Sequence, residues 1–403
     1  MPGSDGRGSA ADQQATAPVI GPTASNSARV LPLADAVSLG PGVWDELLTS
    51  SPVPSPFMTW AWHHGWVEAA EADAVGAAQV VAVRAGSEGV EVLFPFRVHR
   101  TRFRRVPITA LGWAIGDLGC PDHLDLPASP NADLDALVGA LEDVPWDVIL
   151  LSNVAEAAPN VHRVCAACER RGWKVRRIPL WRCPYLALPG SWDTYLSSLS
   201  ANRRQTIQRK ERKLHREHQV VLSEYGTARL DEGWRHLVRL HRLRWGGEGV
   251  FREPGLERLH HCFASWLAGC RQLWLTTLDV DGAPVAAWYG FSFADTVYYY
   301  QGGWDPHWEH QSVGMILMGA MIRRAIERGY RAFDFLRGVE PYKMAWTTTA
   351  RTCYEIAVIR PCGRGTVLRG LDWMARQRLG NWLRATARAL RSVGNRQAEN
   401  DLV

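Results

Sequence analysis

The sequence predicts a mixed α/β protein of two domains. Its 403 residues, 46% apolar and 22% charged, suffice for two buried cores at roughly 100 to 200 residues each. Short β-branched and aromatic runs alternate with segments of helical periodicity in both halves. In the second half three apolar runs follow one another, joined at Asp281-Gly282 and Ala294-Asp295, before a helix and one more strand. Such short turns join the strands of an antiparallel meander.

Residues 1–29 hold Gly, Ser, Ala, Pro and Gln and almost no large apolar side chain, so a disordered tail is expected. The first domain is drawn over residues 30–187. Residues 55–70 read as an indole-rich helix with proline before its first turn, and 79–85 and 90–98 as a hairpin turning near Gly86 and Gly89. Residues 146–152 form a buried strand, 161–172 a helix ended by Gly172, and 173–180 another strand. Pro184, Pro189 and Gly190 punctuate the passage into a second domain, drawn over 188–362. There one long helix is expected over 191–217, then a strand at 218–225 and helices at 228–245 and 256–268. The three strands of the meander lead into a helix over 312–329 and a strand over 330–338. The extension over 363–403 spaces Leu368, Leu371, Ala375, Leu379, Trp382 and Val393 on one helical side, which suits packing on the domain more than contact with anionic lipid.

A net charge of +5 is mild for this length, so DNA is not an expected partner. Of 46 basic residues only Lys174, Lys210, Lys213 and Lys343 are lysines, which makes any single arginine weak evidence of function. Eight scattered cysteines form no disulfide framework, the first residues lack the apolar run of a signal peptide, and no 18-residue apolar stretch occurs. A cytoplasmic location is the expectation. Cys165 and Cys168 form a lone CxxC, read as small buried side chains, and no second pair at zinc spacing accompanies it, so no metal is expected.

Chemistry concentrates near the last helix of the second domain. Ser312, Val313, Gly314 and Met315 make its first turn, where unpaired amides and the positive dipole end favour a phosphate. The plain alternative is a Ser-capped core helix burying Met315, Ile316, Met318, Met321 and Ile322. Asp334 lies in an apolar strand between Phe333 and Phe335, so its carboxylate needs a partner or a shifted pKa. Glu340, Tyr342 and Lys343 follow closely. Here the plain alternative is an ion pair of Asp334 with a neighbouring arginine such as Arg337. Upstream, Arg203, Arg204, Arg209, Lys210, Arg212, Lys213 and Arg216 put seven cations within 14 residues, a solvated helical face in the usual case. No GxSxG, HExxH or Walker loop is present.

The run from Tyr298 to Trp346, with its DFLRG and downstream Tyr342-Lys343, resembles the C-terminal domain of the CelD-like acyltransferases, a branch of the GNAT superfamily related to Fem-type aminoacyl transferases. The resemblance extends to 197–214 and faintly into the first half, covering roughly 50–360. It implies tandem GNAT-like domains with an acyl-thioester, usually acyl-coenzyme A, at the second. The pyrophosphate motif falls on Gln311, Gly314 and Ile316; Ile316 departs from the expected Gly or Ala, and Val313 replaces a common proline. The resulting expectation is acyl transfer to a small-molecule amine. Gln311, Ser312, Val313, Gly314, Met315 and Ile316 would bind the donor, and Arg203, Trp304 and Glu340 the substrates. Asp334 is the candidate base, Tyr342 the proton donor to sulfur and Lys343 an electrostatic anchor, with amides of 298–302 facing the oxyanion. The rivals are aminoacyl transfer from tRNA, which would use the same cations, and a non-catalytic scaffold with a decayed site.

Overall fold

The computed structural model describes residues 27–49, 51, 53–84, 89–103, 106–246 and 249–361. The expected tail and the C-terminal extension over 363–403 lie outside the described residues, apart from Ser27, Ala28 and Arg29. In the first half β1 (Ser27–Pro32), α1 (Leu33–Val37), α2 (Pro41–Thr49), α3 (Trp60–Ala69) and α4 (Ala72–Gly76) lead into the antiparallel strands β2 (Ala78–Arg84), β3 (Val90–Phe103) and β4 (Val106–Trp113). Then come α5 (Leu134–Glu142), β5 (Val148–Ala155), α6 (Pro159–Arg170) and β6 (Lys174–Ala187). The second half continues with α7 (Trp192–Ser198), α8 (Ala201–Glu217), β7 (Val220–Glu224), α9 (Leu230–Trp245) and α10 (Pro254–Gly269). The meander β8 (Leu273–Val280), β9 (Ala283–Phe293) and β10 (Thr296–Trp304) precedes α11 (Val313–Glu327), β11 (Ala332–Asp334), α12 (Pro341–Met344) and β12 (Ala350–Ile359).

All twelve strands join one sheet in the order β1-β2-β3-β4-β5-β12-β6-β11-β10-β9-β8-β7. The β4–β5 and β10–β11 pairings are parallel and the other pairings antiparallel. β12, expected to belong to the second domain, threads between β5 and β6, so strand pairing crosses the boundary drawn at residue 187.

Two differences from the sequence reading have local causes. The helix expected over 191–217 is two helices, because Leu199 is extended and two serines each cap one. Ser191 accepts the Thr194 amide at 3.1 Å, and Ser200 the Arg203 amide at 3.3 Å. The punctuation expected near Pro184 is instead strand: β6 pairs β12 up to Pro184 and β11 over Tyr185–Ala187 on its other side. The proline with no N–H to donate falls where the partner changes.

Alternation along β9 and β10 builds two cores. Tyr289, Phe291, Tyr298 and Tyr300 face α9 and α10, whereas Trp288, Val297 and Tyr299 face α7, α8 and α11. The first core also joins the halves. Phe57 lies 5.7 Å edge-on from Phe291, and Trp62 lies 5.2 Å from Phe263 on α10.

Candidate active site

β10 pairs with β11 only at Thr296, Val297 and Tyr298, then runs on alone on that side to Trp304. A register shift between Tyr299 and Gln301 bends it there. The wedge opened by this divergence is a cavity of about 300 Å³, roofed by the start of α11. Ser312, Val313, Gly314 and Met315 line it, as do Arg203 and Trp304 and, from α12 and the turn after it, Tyr342 and Trp346.

The helix opening differs from a capped one. Ser312 sits in the left-handed region (φ 58°, ψ 40°) and its side chain caps nothing, contrary to the Ser-capped alternative. The first intrahelical bond is Ile316 N–H to Ser312 O at 3.0 Å, so the amides of Val313, Gly314 and Met315 precede the ladder. A Cβ at Gly314 would stand 3.1 Å from Trp304 Cδ1, so glycine lets the helix start lie against the indole. Gln311 and Ile316, the flanking positions of the pyrophosphate motif, do not line the cavity; Gln311 donates to Glu217 at 3.4 Å and Ile316 packs into the second core.

Two guanidiniums face the space. Arg203 lies 4.8 Å over the Trp346 ring and donates to Met315 Sδ at 3.6 Å, while its buried Nε has no hydrogen-bond partner. Arg244 stacks near Trp304 at 5.7 Å and Tyr342 at 5.3 Å. Among the described residues neither is paired with a carboxylate. Three other cations of α8 are engaged away from the cavity: Lys210 donates to His310 O at 2.9 Å, and Lys213 and Arg216 lie 3.8 and 3.1 Å from Glu217. Glu309 supplies the carboxylate among the lining residues. Burial pushes the Tyr342 hydroxyl up, so it stays protonated in the neutral range, and it interacts with Tyr299.

Asp334, Glu340 and Lys343 fall outside this lining. Asp334 is wholly buried; its Oδ1 accepts the Leu336 amide at 2.8 Å and its Oδ2 faces His123 Nε2 at 3.2 Å. The arginine that reaches Asp334 is Arg351, at 3.9 Å, rather than Arg337. Arg337 instead grips the first half, donating through Nε and its backbone amide to Asp122, both at 2.9 Å, and through its Nη atoms to Asp117 at 2.8 Å and Pro121 O at 2.6 Å. Lys343 Nζ donates to Arg337 O at 2.6 Å and pairs with Glu340 at 3.1 Å. The DFLRG segment thus builds a seam between the halves. Trp288 lines the cavity beside Trp304, whereas Trp60, Trp62, Trp66 and Trp113 are packed with the first core. Arg244, Tyr299, Glu309 and Trp346 were not singled out from the sequence.

Residues 201–344 match the family model described as an acetyltransferase (GNAT) domain. No curated protein matches the chain. Among solved structures it is similar to a conserved protein of unknown function from Bacteroides thetaiotaomicron, at 12% identity and a TM-score of 0.53 over 83% of this chain and 100% of that one. It is similar also to FemX, at 11% identity and a TM-score of 0.52 over 83% and 98%. A third likeness is to the C-terminal domain of a putative lysylphosphatidylglycerol synthetase from Agrobacterium fabrum, at 12%, 0.50, 85% and 96%. At such identities the likeness is one of fold: the mixed α/β fold with GNAT-like halves that the sequence predicts, here built on one sheet, with the match to a GNAT domain model falling on residues 201–344.

Proposed function

We propose that the chain is an acyltransferase that moves an acyl group from acyl-coenzyme A to the amine of a small-molecule acceptor. The observation carrying this reading is a cavity set where two parallel strands part, roofed by helix amides that precede the hydrogen-bond ladder and flanked by two arginines that have no carboxylate partner among the described residues. That donor set fits a diphosphate-bearing thioester. Val313, Gly314 and Met315 would hold the phosphates with Arg203 and Arg244 beside them, while Trp288, Trp304 and Trp346 would cover the apolar arm.

Glu309 is assigned as the base that takes a proton from the amine, since Asp334 is sealed beneath His123. The amine nitrogen attacks the thioester carbonyl, main-chain amides beyond Tyr298 meet the oxyanion, and the carbon–sulfur bond breaks as Tyr342 gives its proton to the departing sulfur. Arg203 and Trp304 keep substrate-side roles; Lys343 and Glu340 act through Arg337 instead.

Calorimetry with coenzyme A and its acetyl ester tests the reading. Binding is expected at micromolar to millimolar ligand, weakened tenfold or more in Arg203→Gln with an unchanged unfolding midpoint. No heat at millimolar ligand overturns it. A salt-steep affinity for tRNA with indifference to coenzyme A would favour aminoacyl transfer.

A further inference from the structure

Three residues far apart in sequence meet beneath the seam: His123, from the loop before α5, Cys183 of β6 and Cys353 of β12. Cys353 Sγ lies 3.8 Å from Cys183 Sγ and 3.6 Å from His123 Nδ1, and all three ligand atoms fall within 4.8 Å of one another. Both thiols are fully buried and His123 nearly so.

We propose that His123 Nδ1, Cys183 Sγ and Cys353 Sγ form a Cys₂His site for a thiophilic divalent cation of the zinc type. A tetrahedral ion with metal–sulfur distances of about 2.3 Å and metal–nitrogen distances of about 2.0–2.1 Å separates its ligands by about 3.8 Å sulfur to sulfur and about 3.5 Å sulfur to nitrogen. The two measured edges, 3.8 and 3.6 Å, match. The other ring nitrogen faces Asp334 Oδ2 at 3.2 Å, and neither atom has another hydrogen-bond partner among the described residues. That is how a carboxylate fixes the tautomer of a metal-bound histidine. His123 also holds a left-handed backbone (φ 56°), a conformation that residues other than glycine seldom adopt.

A disulfide fits less well. Cys183 stands opposite Arg351 and Cys353 opposite Trp181, so the cysteines are diagonal rather than facing neighbours across the ladder. Charge closes around a bound dication: each thiol releases its proton to solvent as its metal–sulfur bond forms, any proton on His123 Nδ1 leaves likewise as the metal–nitrogen bond forms, the Nε2–H stays hydrogen-bonded to the Asp334 carboxylate, and Arg351 lies 3.9 Å from that carboxylate. No redox change is involved. The ion pins β12, β6 and the His123 loop together, apart from the acyl-transfer cavity.

The test uses the full chain purified under reducing, chelator-free conditions. Elemental analysis should give about one zinc per chain, falling at least tenfold in Cys183→Ser and Cys353→Ser but not in Cys165→Ser on α6. Because the site variants could fail to fold, wild type is also unfolded, stripped of metal and refolded with cobalt(II) alone; a thiolate-to-cobalt charge-transfer band is expected. Metal-free native protein with two free thiols and no such band overturns the proposal. So does a two-hydrogen mass deficit mapping to a Cys183–Cys353 disulfide.

Discussion

The cavity and the seam both concentrate charge, yet they handle it in opposite ways. In the cavity Arg203 and Arg244 meet aromatic rings and, among the described residues, no carboxylate, and the helix amides stand open. In the seam Arg337 is answered atom by atom by Asp117, Asp122 and a carbonyl, Lys343 by Glu340 and Asp334 by His123. A charge held without its counterion points to a ligand that will bring one; a charge fully matched inside the protein points to assembly. The residues that look most catalytic in the sequence, Asp334 and Lys343, fall on the matched side.

The most forceful way to break this contrast is Arg337→Met. It leaves the buried Asp122 carboxylate uncompensated and is expected to destabilise the chain by about 3–5 kcal/mol in urea unfolding. A loss under 1 kcal/mol would mean the seam is not what joins the halves. The loss should shrink as pH falls, since burial, outweighing Arg337, already pushes Asp122 up to about 6 and protonation removes the stranded charge.

On the cavity side, Glu309→Gln is expected to lower kcat about a hundredfold with little change in donor affinity or melting temperature. Near-normal turnover would return the base to another group. Smaller still is the effect of Glu355, a β12 carboxylate that burial pushes up to about 7 and whose Oε1 lacks a partner. Its folded pKa exceeds the unfolded one, so the native state holds the proton more tightly and stability falls as pH rises from about 4.5 through 7. Glu355→Gln should therefore stabilise by about 2 kcal/mol at pH 8 and by little at pH 4.5, read from urea midpoints at both. A pH-independent effect would assign the gain to packing.

The start of α11 was legible from sequence because its signals are local: a meander, a short loop, then Ser-Val-Gly before an apolar helical face. Arg203 was legible only through resemblance, and Arg244 not at all, since one arginine among so many carries no mark. The seam was hidden for a different reason. Asp122 and Arg337 are 215 residues apart, and Cys353 is 230 from His123, so no spacing rule could pair them. Asp334 was correctly read as a carboxylate in need of a partner, but chain neighbourhood suggested Arg337, whereas the sheet order brings up His123 from the other half.

The insertion of β12 between β5 and β6 also governs how the chain can be made. Strands 148–155 and 174–187 emerge early from the ribosome, but the slot between them stays vacant until β12, which begins 163 residues after β6 ends, has been translated. Until then both flanks offer bare ladder edges, so the nascent first half needs shielding from its neighbours on the polysome. A messenger truncated ahead of codon 350 would be expected to yield a product that associates through those edges rather than a smaller native domain.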